Sequence, residues 1–204
     1  DGTVARLRSD YPALRVEAVC ADYMTLEHLP DTINGARRIG FFPGSTIGNL
    51  TPEEATSFLR RVRRLLGDGG ALILGVDLKK DSRRLHDAYN DAAGITAQFT
   101  LNLLRRMNRE LDGSFDLAAF AHEAFYNPSE SRIEIYLRSL LNQTVSVSGR
   151  RLAFEKGELV HTEYSYKYDS ASLAALAARG GFAVDRTWTD AEGLFAVAWL
   201  KASA

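Results

Sequence analysis

The chain has 204 residues, of which 46% are hydrophobic and 25% are charged, and its formal net charge is −1. This composition predicts a globular protein rather than a disordered one. Because 25 basic side chains balance 26 acidic ones, neither a nucleic acid nor a membrane is predicted as a partner. The single cysteine, Cys20, cannot form an intrachain disulfide. Together with the lack of a signal-peptide pattern, it predicts a cytoplasmic setting and a buried thiol.

The N-terminal part of the chain alternates between strand-like and helical patterns. In chain order they predict the end of a helix over 4–10, strands over 14–21 and 37–42, a helix over 52–66 and a strand over 71–78. The helix has the clearest boundary, because Thr51, Pro52 and Glu54 combine a capping box with proline at the first helical position. A strand, a helix and a second strand in this order predict a βαβ unit of a parallel sheet.

The remaining chain mixes helical and strand-like segments. Helical spacing runs over 82–111 and 115–125, strand-like runs cover 131–147 and 151–168, and a capped helix over 170–182 precedes two closing strands. This order predicts an α/β core made of residues 1–80 and 167–204. A mixed insertion over 81–166 interrupts that core.

The stretch PGSTIGN, residues 43–49, lies between a predicted strand and the capped helix. In an open parallel sheet, ligands bind beyond the carboxyl ends of the strands. This loop and Asp22, which follows the strand over 14–21, are therefore expected to face one crevice. The amide of Asn49 either holds a polar substrate group or simply closes the turn. Asp22 either accepts hydrogen bonds from a ligand or caps the next segment.

The segment HTEYSYKY, residues 161–168, reads as a strand. Period-2 alternation puts His161, Glu163, Ser165 and Lys167 on one of its faces. A carboxylate beside a hydroxyl is suited to holding a small ring that carries one N–H and one bare nitrogen. The alternative is an exposed polar strand face.

Tyr89 and the four histidines are further candidates for binding a ligand or a metal. Tyr89 lies on a predicted helix, where its hydroxyl either points into the crevice or its ring packs on an amphipathic face. The four histidines have no metal-type spacing and, with one cysteine, make no zinc set. No metal is therefore predicted.

Six stretches together resemble the histidine-specific methyltransferases of ergothioneine biosynthesis. They are ADY (21–23), FFPGSTIGNLTP (41–52), the long run from LILGVDL to MNREL (72–111), FDLAAFAH (115–122), SRIEIYLR (131–138) and TEYSYKY (162–168). The resemblance implies an α/β fold with the class I (Rossmann-like) methyltransferase sheet, and makes 81–166 an inserted α+β substrate-binding domain. It also implies S-adenosyl-L-methionine as the methyl donor, L-histidine as the small-molecule substrate, and N-alpha-trimethylhistidine as the product.

The resemblance assigns roles on the substrate side of the site. Asn49 corresponds to the residue that holds the α-amine and Tyr89 to the tyrosine that grips the amino acid backbone, so these two form the predicted catalytic pair. Glu163 and Ser165 correspond to the pair that recognises the imidazole. Ile135 stands where a methionine is expected near the substrate ring. This difference leaves another amino acid, such as a tryptophan derivative, as the alternative substrate.

The resemblance also implies a donor-binding set. Two of its members lie beside the adenine and three line the donor pocket in the loop after the second strand: Asp22, Tyr23, Gly44, Ser45 and Thr46.

The N-terminal sequence departs from the pattern of the class. Such enzymes carry a glycine-rich loop after the first strand and an acidic residue after the second, and this sequence shows neither. If 14–21 is the third strand, the class order 3-2-1-4-5-7-6 implies a gap beside it, with backbone groups left unpaired. We therefore expect a sheet that lacks its first two strands, completed by a missing N-terminal segment or a second chain. The alternative function is a non-catalytic fragment that pairs with another chain.

Overall fold

The computed structural model describes residues 2–30 and 37–203, and the chain divides into two compact units, Asp1–Ala36 and Arg37–Ala204. Residues 1, 31–36 and 204 of the predicted core lie outside the described residues. The first unit contains helix α1 (Gly2–Asp10), as the opening sequence predicts.

The predicted strand over 14–21 is wrong. This segment has no sheet pairing among the described residues. An extended segment becomes a strand only when a neighbouring backbone takes up its N–H and C=O groups. The predicted burial of Cys20 is wrong for the same reason, because the thiol lies on this unpaired segment and is exposed.

The second unit is built in chain order from β1 (Ile39–Phe42), α2 (Pro52–Leu66), β2 (Ala71–Asp77), α3 (Ser82–Tyr89), α4 (Ile95–Glu110), β3 (Phe120–Asn127), β4 (Arg132–Ser139), β5 (Gln143–Val147), β6 (Arg150–Phe154), β7 (Leu159–Tyr166), α5 (Ser170–Arg179), β8 (Phe182–Thr189) and β9 (Phe195–Ala202). Short 3-10 helices cover Thr46–Asn49 and Leu117–Ala119. Within residues 2–30 and 37–203, no helix is both long and apolar enough to cross a membrane.

One sheet has the strand order β1-β2-β9-β8. Strand β1 is parallel to β2, while β9 is antiparallel to both of its neighbours. The predicted α/β fold class is confirmed, since this order equals the 4-5-7-6 part of the class I sheet. The expected lack of the first two strands agrees with this order, because β1 has a neighbour on one side only and the segment 14–21 has no sheet pairing among the described residues. Strand β1 lies at the sheet edge, where Phe41 is 70% exposed.

Helix α2 begins at the predicted capping box. The Thr51 hydroxyl accepts a hydrogen bond from the Glu54 backbone N–H, and the Glu54 carboxylate accepts one from the Thr51 N–H. Its apolar side contacts β1 and α5, with Leu59 fully buried. The helix therefore fixes the loop that joins it to β1.

A second sheet has the order β3-β4-β7, and β5 and β6 form a separate hairpin. Helices α3 and α4 pack on β3. The predicted helix over 115–125 is wrong, because β3 pairs with β4 along its whole length, from Phe120 with Ser139 to Asn127 with Arg132. The apolar spacing of this segment fits a helix, but the cross-strand pairing outweighs that local preference.

The helical run over 82–111 is divided into α3 and α4. The Asn90 amide donates hydrogen bonds to the backbone carbonyls of His86 and Ala124. The Asp91 carboxylate accepts from the N–H groups of Ile95 and Thr96, which lowers its pKa to about 2. Side chains that bond to the nearby backbone in this way compete with a continuous helix. The break leaves Tyr89 at the C-terminal end of α3.

Strand β7 contains a bulge that changes its predicted faces. Ile135 pairs with Glu163 and Tyr136 pairs with His161, so Thr162 is the extra residue. A bulge residue shifts the alternation of the side chains before it. His161 therefore packs against Tyr136 and Tyr164 on the face opposite Glu163. The predicted position of His161 beside Glu163 and Ser165 on one face is wrong, whereas Lys167 shares their face and lines the same cavity.

The two sheets meet where β2 and β7 end. The Tyr168 N–H donates to the Asp77 carbonyl at 2.9 Å, and the Lys79 N–H donates to the Tyr168 carbonyl at 2.8 Å. Leu78 and Tyr168 form an isolated parallel bridge. This junction brings the side chains at the end of β7 beside the carboxyl end of β2. The boundaries of core and insertion, at residues 80 and 167, stay a prediction.

Candidate active site

A cavity of about 350 Å³ lies at this junction. Its lining comes from the loop after β1, the ends of β2 and α3, strand β7 and the start of β9: Gly44, Ser45, Thr46, Asn49, Asp77, Tyr89, Glu163, Ser165, Lys167 and Phe195. The structure thus brings together the predicted loop residues, the amide, the phenol and the carboxylate–hydroxyl pair. Asp77, Lys167 and Phe195 join them without having been predicted as site residues.

The loop after β1 turns sharply so that Asn49 can reach the cavity. Gly44 and Ser45 both have left-handed backbone angles, with φ of 74° and 58°. The Ser45 hydroxyl accepts a hydrogen bond from the Asp77 N–H at 2.9 Å. This bond compensates for the strain of a non-glycine residue at positive φ and ties the loop to the end of β2.

Gly48 lets this loop lie directly against β7. A Cβ at this position would lie 2.8 Å from the Tyr166 carbonyl oxygen and 3.3 Å from the Tyr166 nitrogen. Only a residue without a side chain fits against backbone at that distance. The close approach sets Asn49 near the end of β7, where Ser165 and Lys167 point into the cavity.

Asn49 and Glu163 are the two polar lining side chains that make no hydrogen bond within the described residues. Asn49 is exposed and Glu163 is half-buried. Burial raises the pKa of the Glu163 carboxyl above its ordinary value, while the charges of Lys167 and His161 act in the opposite direction. A partly desolvated carboxylate without a partner is a group that a ligand N–H can satisfy.

Lys167 is the most buried charge of the site. Its side chain is 0% exposed, and Nζ lies 2.9 Å from Asp77 Oδ2. The same Nζ donates to Ser165 Oγ at 2.7 Å and to Tyr89 Oη at 2.8 Å. Lys80 pairs with the other oxygen of Asp77. Lys167 therefore connects the end of β2 to the hydroxyls of Ser165 and Tyr89.

Tyr89 is held from behind by β3. The His122 ring Nε2 lies 2.8 Å from the Tyr89 carbonyl oxygen, and its Nδ1 lies 3.1 Å from the Thr100 hydroxyl. Tyr89 Oη lies 2.9 Å from Ser165 Oγ. The phenol thus points into the cavity, as one of the two readings of this residue predicted.

Ile135 does not line the cavity. It is buried in a cluster with Leu85, Ala124 and Ile133, and Tyr89 packs against that cluster. Its contact with a substrate ring stays a prediction, and in the structure it supports Tyr89 instead.

Asp22 and Tyr23 lie in the first unit. The Asp22 carboxylate accepts a hydrogen bond from the Met24 N–H at 2.8 Å, which is the capping arrangement that its sequence position allows. Tyr23 is 49% exposed. Their place beside an adenine ring stays a prediction. Among the described residues, no cluster of three or more His, Cys, Asp or Glu side chains is arranged to hold a metal.

The raised pKa of Glu163 predicts a stability effect of Glu163→Gln. The folded state holds this proton more tightly than the unfolded state, so stability falls as pH rises from the ordinary glutamate pKa through the raised one. The neutral variant avoids this cost. We expect it to be more stable than the parent at pH 7, with the difference lost below about pH 4. Urea unfolding at pH 7 and below pH 4 checks this. Glu123→Gln serves as the control, because Glu123 lies on β3 and pairs with Arg138 outside the cavity.

The strand order, with a cavity beyond the carboxyl ends of β1 and β2, defines a class I methyltransferase fold. The family described as "Histidine-specific methyltransferase, SAM-dependent" matches residues 1–202, so the chain belongs to that family. The histidine N-alpha-methyltransferase of Mycobacterium tuberculosis is 42% identical over 195 residues, which are 95% of this chain and 60% of that protein. Ergothioneine biosynthesis protein 1 of Neurospora crassa is 33% identical over 114 residues, 49% of this chain and 13% of its own length.

Among solved structures, a S-adenosylmethionine-dependent methyltransferase from Clostridium acetobutylicum has a TM-score of 0.48 and 11% sequence identity. The match covers 98% of this chain and 69% of that one. Compared with the mycobacterial relative, the chain spans only 60% of that protein's length.

Proposed function

We propose that the intact protein transfers methyl groups from S-adenosyl-L-methionine to the α-amine of L-histidine and forms N-alpha-trimethylhistidine for ergothioneine biosynthesis. One observation carries the proposal: the Asn49 amide and the Glu163 carboxylate line a single cavity, and neither has a hydrogen-bond partner among the described residues. An amino acid with a heteroaromatic side chain can satisfy both groups at once. The family description and the names of the two relatives support histidine and the ergothioneine pathway.

The two ends of the cavity suit the two ends of histidine. Asn49 offers an acceptor oxygen to an amine N–H, and the Tyr89 oxygen offers a second acceptor. Glu163 accepts the ring N–H, and Ser165 faces the other ring nitrogen. This orientation directs the amine toward the loop after β1.

The described residues fit the methyl donor along that loop. Gly44 has φ of 74°, and no atom lies within 4 Å of where its Cβ would be, so the backbone there is open to close approach. Gly44, Ser45 and Thr46 would hold the donor in this position. The place of Asp22 and Tyr23 beside its adenine remains a prediction from the sequence. When bound, S-adenosyl-L-methionine supplies a methyl group on a positively charged sulfur.

The contribution of the protein is mainly positioning. In-line displacement needs a neutral amine close to the methyl carbon, and holding two reactants in place accounts for a large part of such rate enhancement. The Asn49 oxygen accepts one N–H of the amine, which leaves the nitrogen lone pair free to face the donor. The Asn49 amide, which has no hydrogen-bond partner among the described residues, can shift with the amine as methyl groups are added.

The predicted division into a core and an insertion assigns a ligand to each part. Residues 1–80 and 167–204 would bind the donor and, through Asn49, the α-amine, and the insertion over 81–166 would bind the rest of the amino acid. A second chain or N-terminal segment that completes the sheet, and a cytoplasmic location, remain predictions.

Isothermal titration and methyl transfer test the proposed function. The intact protein is titrated with L-histidine in the presence of S-adenosylhomocysteine, and L-tryptophan serves as the competing amino acid. We expect binding heat with histidine and none with tryptophan. When S-adenosyl-L-methionine replaces S-adenosylhomocysteine, we expect the mass of histidine to increase by one to three methyl groups. Binding heat with tryptophan but not with histidine would show that tryptophan, and not histidine, is the substrate. No binding of either amino acid would overturn the function.

A further inference from the structure

All three hydrogen atoms of the Lys167 ammonium group are used in hydrogen bonds within the protein. Nζ lies within hydrogen-bond distance of Asp77 Oδ2, Ser165 Oγ and Tyr89 Oη, and the side chain is 0% exposed. A protonated lysine has three donors and no acceptor. Both hydroxyl oxygens must therefore act as acceptors toward it.

The remaining hydrogen bond lies between the two hydroxyls. Tyr89 Oη and Ser165 Oγ are 2.9 Å apart, and either could be the donor by geometry. A phenol is more acidic than an alcohol and is the better donor, while the sp³ oxygen of serine has two lone pairs to receive bonds. The phenol therefore donates to Ser165. With Lys167 on one lone pair and Tyr89 on the other, only the Ser165 O–H is left for the cavity.

Resting on the proposed function, we propose that Lys167 is a positioning residue that fixes Ser165 as a hydrogen-bond donor to the ligand. Glu163 is the acceptor next to it along β7. The pair then selects an uncharged ring that has one N–H and one bare nitrogen. A doubly protonated imidazolium would place an N–H against the Ser165 O–H and next to the buried Lys167 charge.

The charged groups around the cavity agree with this selection. Glu163 alone would favour a cationic ring, and Lys167 opposes it from the same strand face. Asp77 is shared between Lys167 and Lys80, so it does not cancel the Lys167 charge by itself. The neutral ring satisfies every group without adding a second buried cation.

The first test uses the wild-type protein. Histidine labelled with ¹⁵N in the ring is bound to the intact protein at about pH 6.5, where half of the free ring is protonated. We expect the bound ring to show one protonated and one bare nitrogen in its ¹⁵N spectrum. A bound ring with both nitrogens protonated would overturn the inference, whereas a protein that binds no histidine would overturn the proposed function instead.

The second test replaces the lysine. Lys167→Met frees a lone pair of Ser165, and we expect the ratio of histidine affinity to 3-thienylalanine affinity to fall about tenfold, with the bound ring gaining a second proton at the same pH. Thienylalanine has the same backbone but no ring nitrogen, so general loosening of the cavity weakens both ligands alike. An unchanged ratio with both affinities reduced would show that Lys167 only holds the fold together, and would overturn the inference.

Two controls complete the design. Lys80→Met removes the other lysine of Asp77 without a contact to Ser165, and we expect it to leave the ratio within twofold. In the Ser165→Ala background, adding Lys167→Met should not lower the affinity ratio further, because Lys167 acts on the ligand only through the Ser165 hydroxyl. If Lys167→Met does not fold, the wild-type spectrum still decides the outcome.

Discussion

Glu163→Ala is expected to weaken histidine binding to the intact protein by about 1 to 3 kcal/mol, which is roughly 5- to 150-fold in Kd. The carboxylate is half-buried, lines the cavity and has no protein partner within the described residues, so a ligand N–H is the bond that it lacks. Its removal leaves that N–H without an acceptor in a partly desolvated place. Isothermal titration with histidine measures the loss directly.

The control for this variant is Glu123→Ala. Glu123 lies on β3, which β4 separates from β7 in the same sheet, and it pairs with Arg138 at 2.9 Å but does not line the cavity. Half-exposed ion pairs of this kind contribute about 0 to 1 kcal/mol to stability. Histidine affinity is expected to stay at the wild-type value. An affinity that is equally insensitive to Glu163→Ala would remove the imidazole assignment, while the fold and the family membership would stand.

The site could be predicted where a local signal coincided with a strand end. The loop 43–49, the helix cap at Thr51 and the alternation of Glu163, Ser165 and Lys167 are all visible in the sequence, and the structure brings them to one cavity. Lys167 was on the predicted face, but its burial depends on the carboxylate of Asp77, about ninety residues away in the chain. No local pattern indicates that pairing.

The errors have the same origin. His161 changed face because the bulge at Thr162 depends on the register with β4, and Phe120–Asn127 forms a strand instead of a helix because β4 lies beside it. Residues 14–21 carry a strand-like pattern but have no neighbour to pair with among the described residues. In each case the sequence predicts what a segment can do alone, and the partner strand decides what it does.

Gly48→Ala is expected to have the second large effect, although it changes no group that could touch the ligand. The added methyl would lie 2.8 Å from the Tyr166 carbonyl oxygen, and backbone cannot rotate away as a flexible side chain can. Overpacking of this kind costs about 1 to 3 kcal/mol of stability. The 3-10 helix Thr46–Asn49 must move away from β7, and Asn49 moves with it. Since a shift of about 1 Å can cost on the order of 100-fold in rate, methyl transfer is expected to fall by that factor.

Gly149→Ala separates this displacement from ordinary loss of stability. Gly149 lies in the turn between β5 and β6 at φ of 75°, with no atom near its Cβ position. Alanine there is strained by about 1 kcal/mol, but the site is untouched. Urea unfolding should therefore detect both variants, whereas single-turnover methyl transfer with saturating histidine should detect only Gly48→Ala. Normal transfer in a destabilised Gly48→Ala protein would mean that the contact between the loop and β7 does not set the position of the amine, and Asn49 would lose its assigned role.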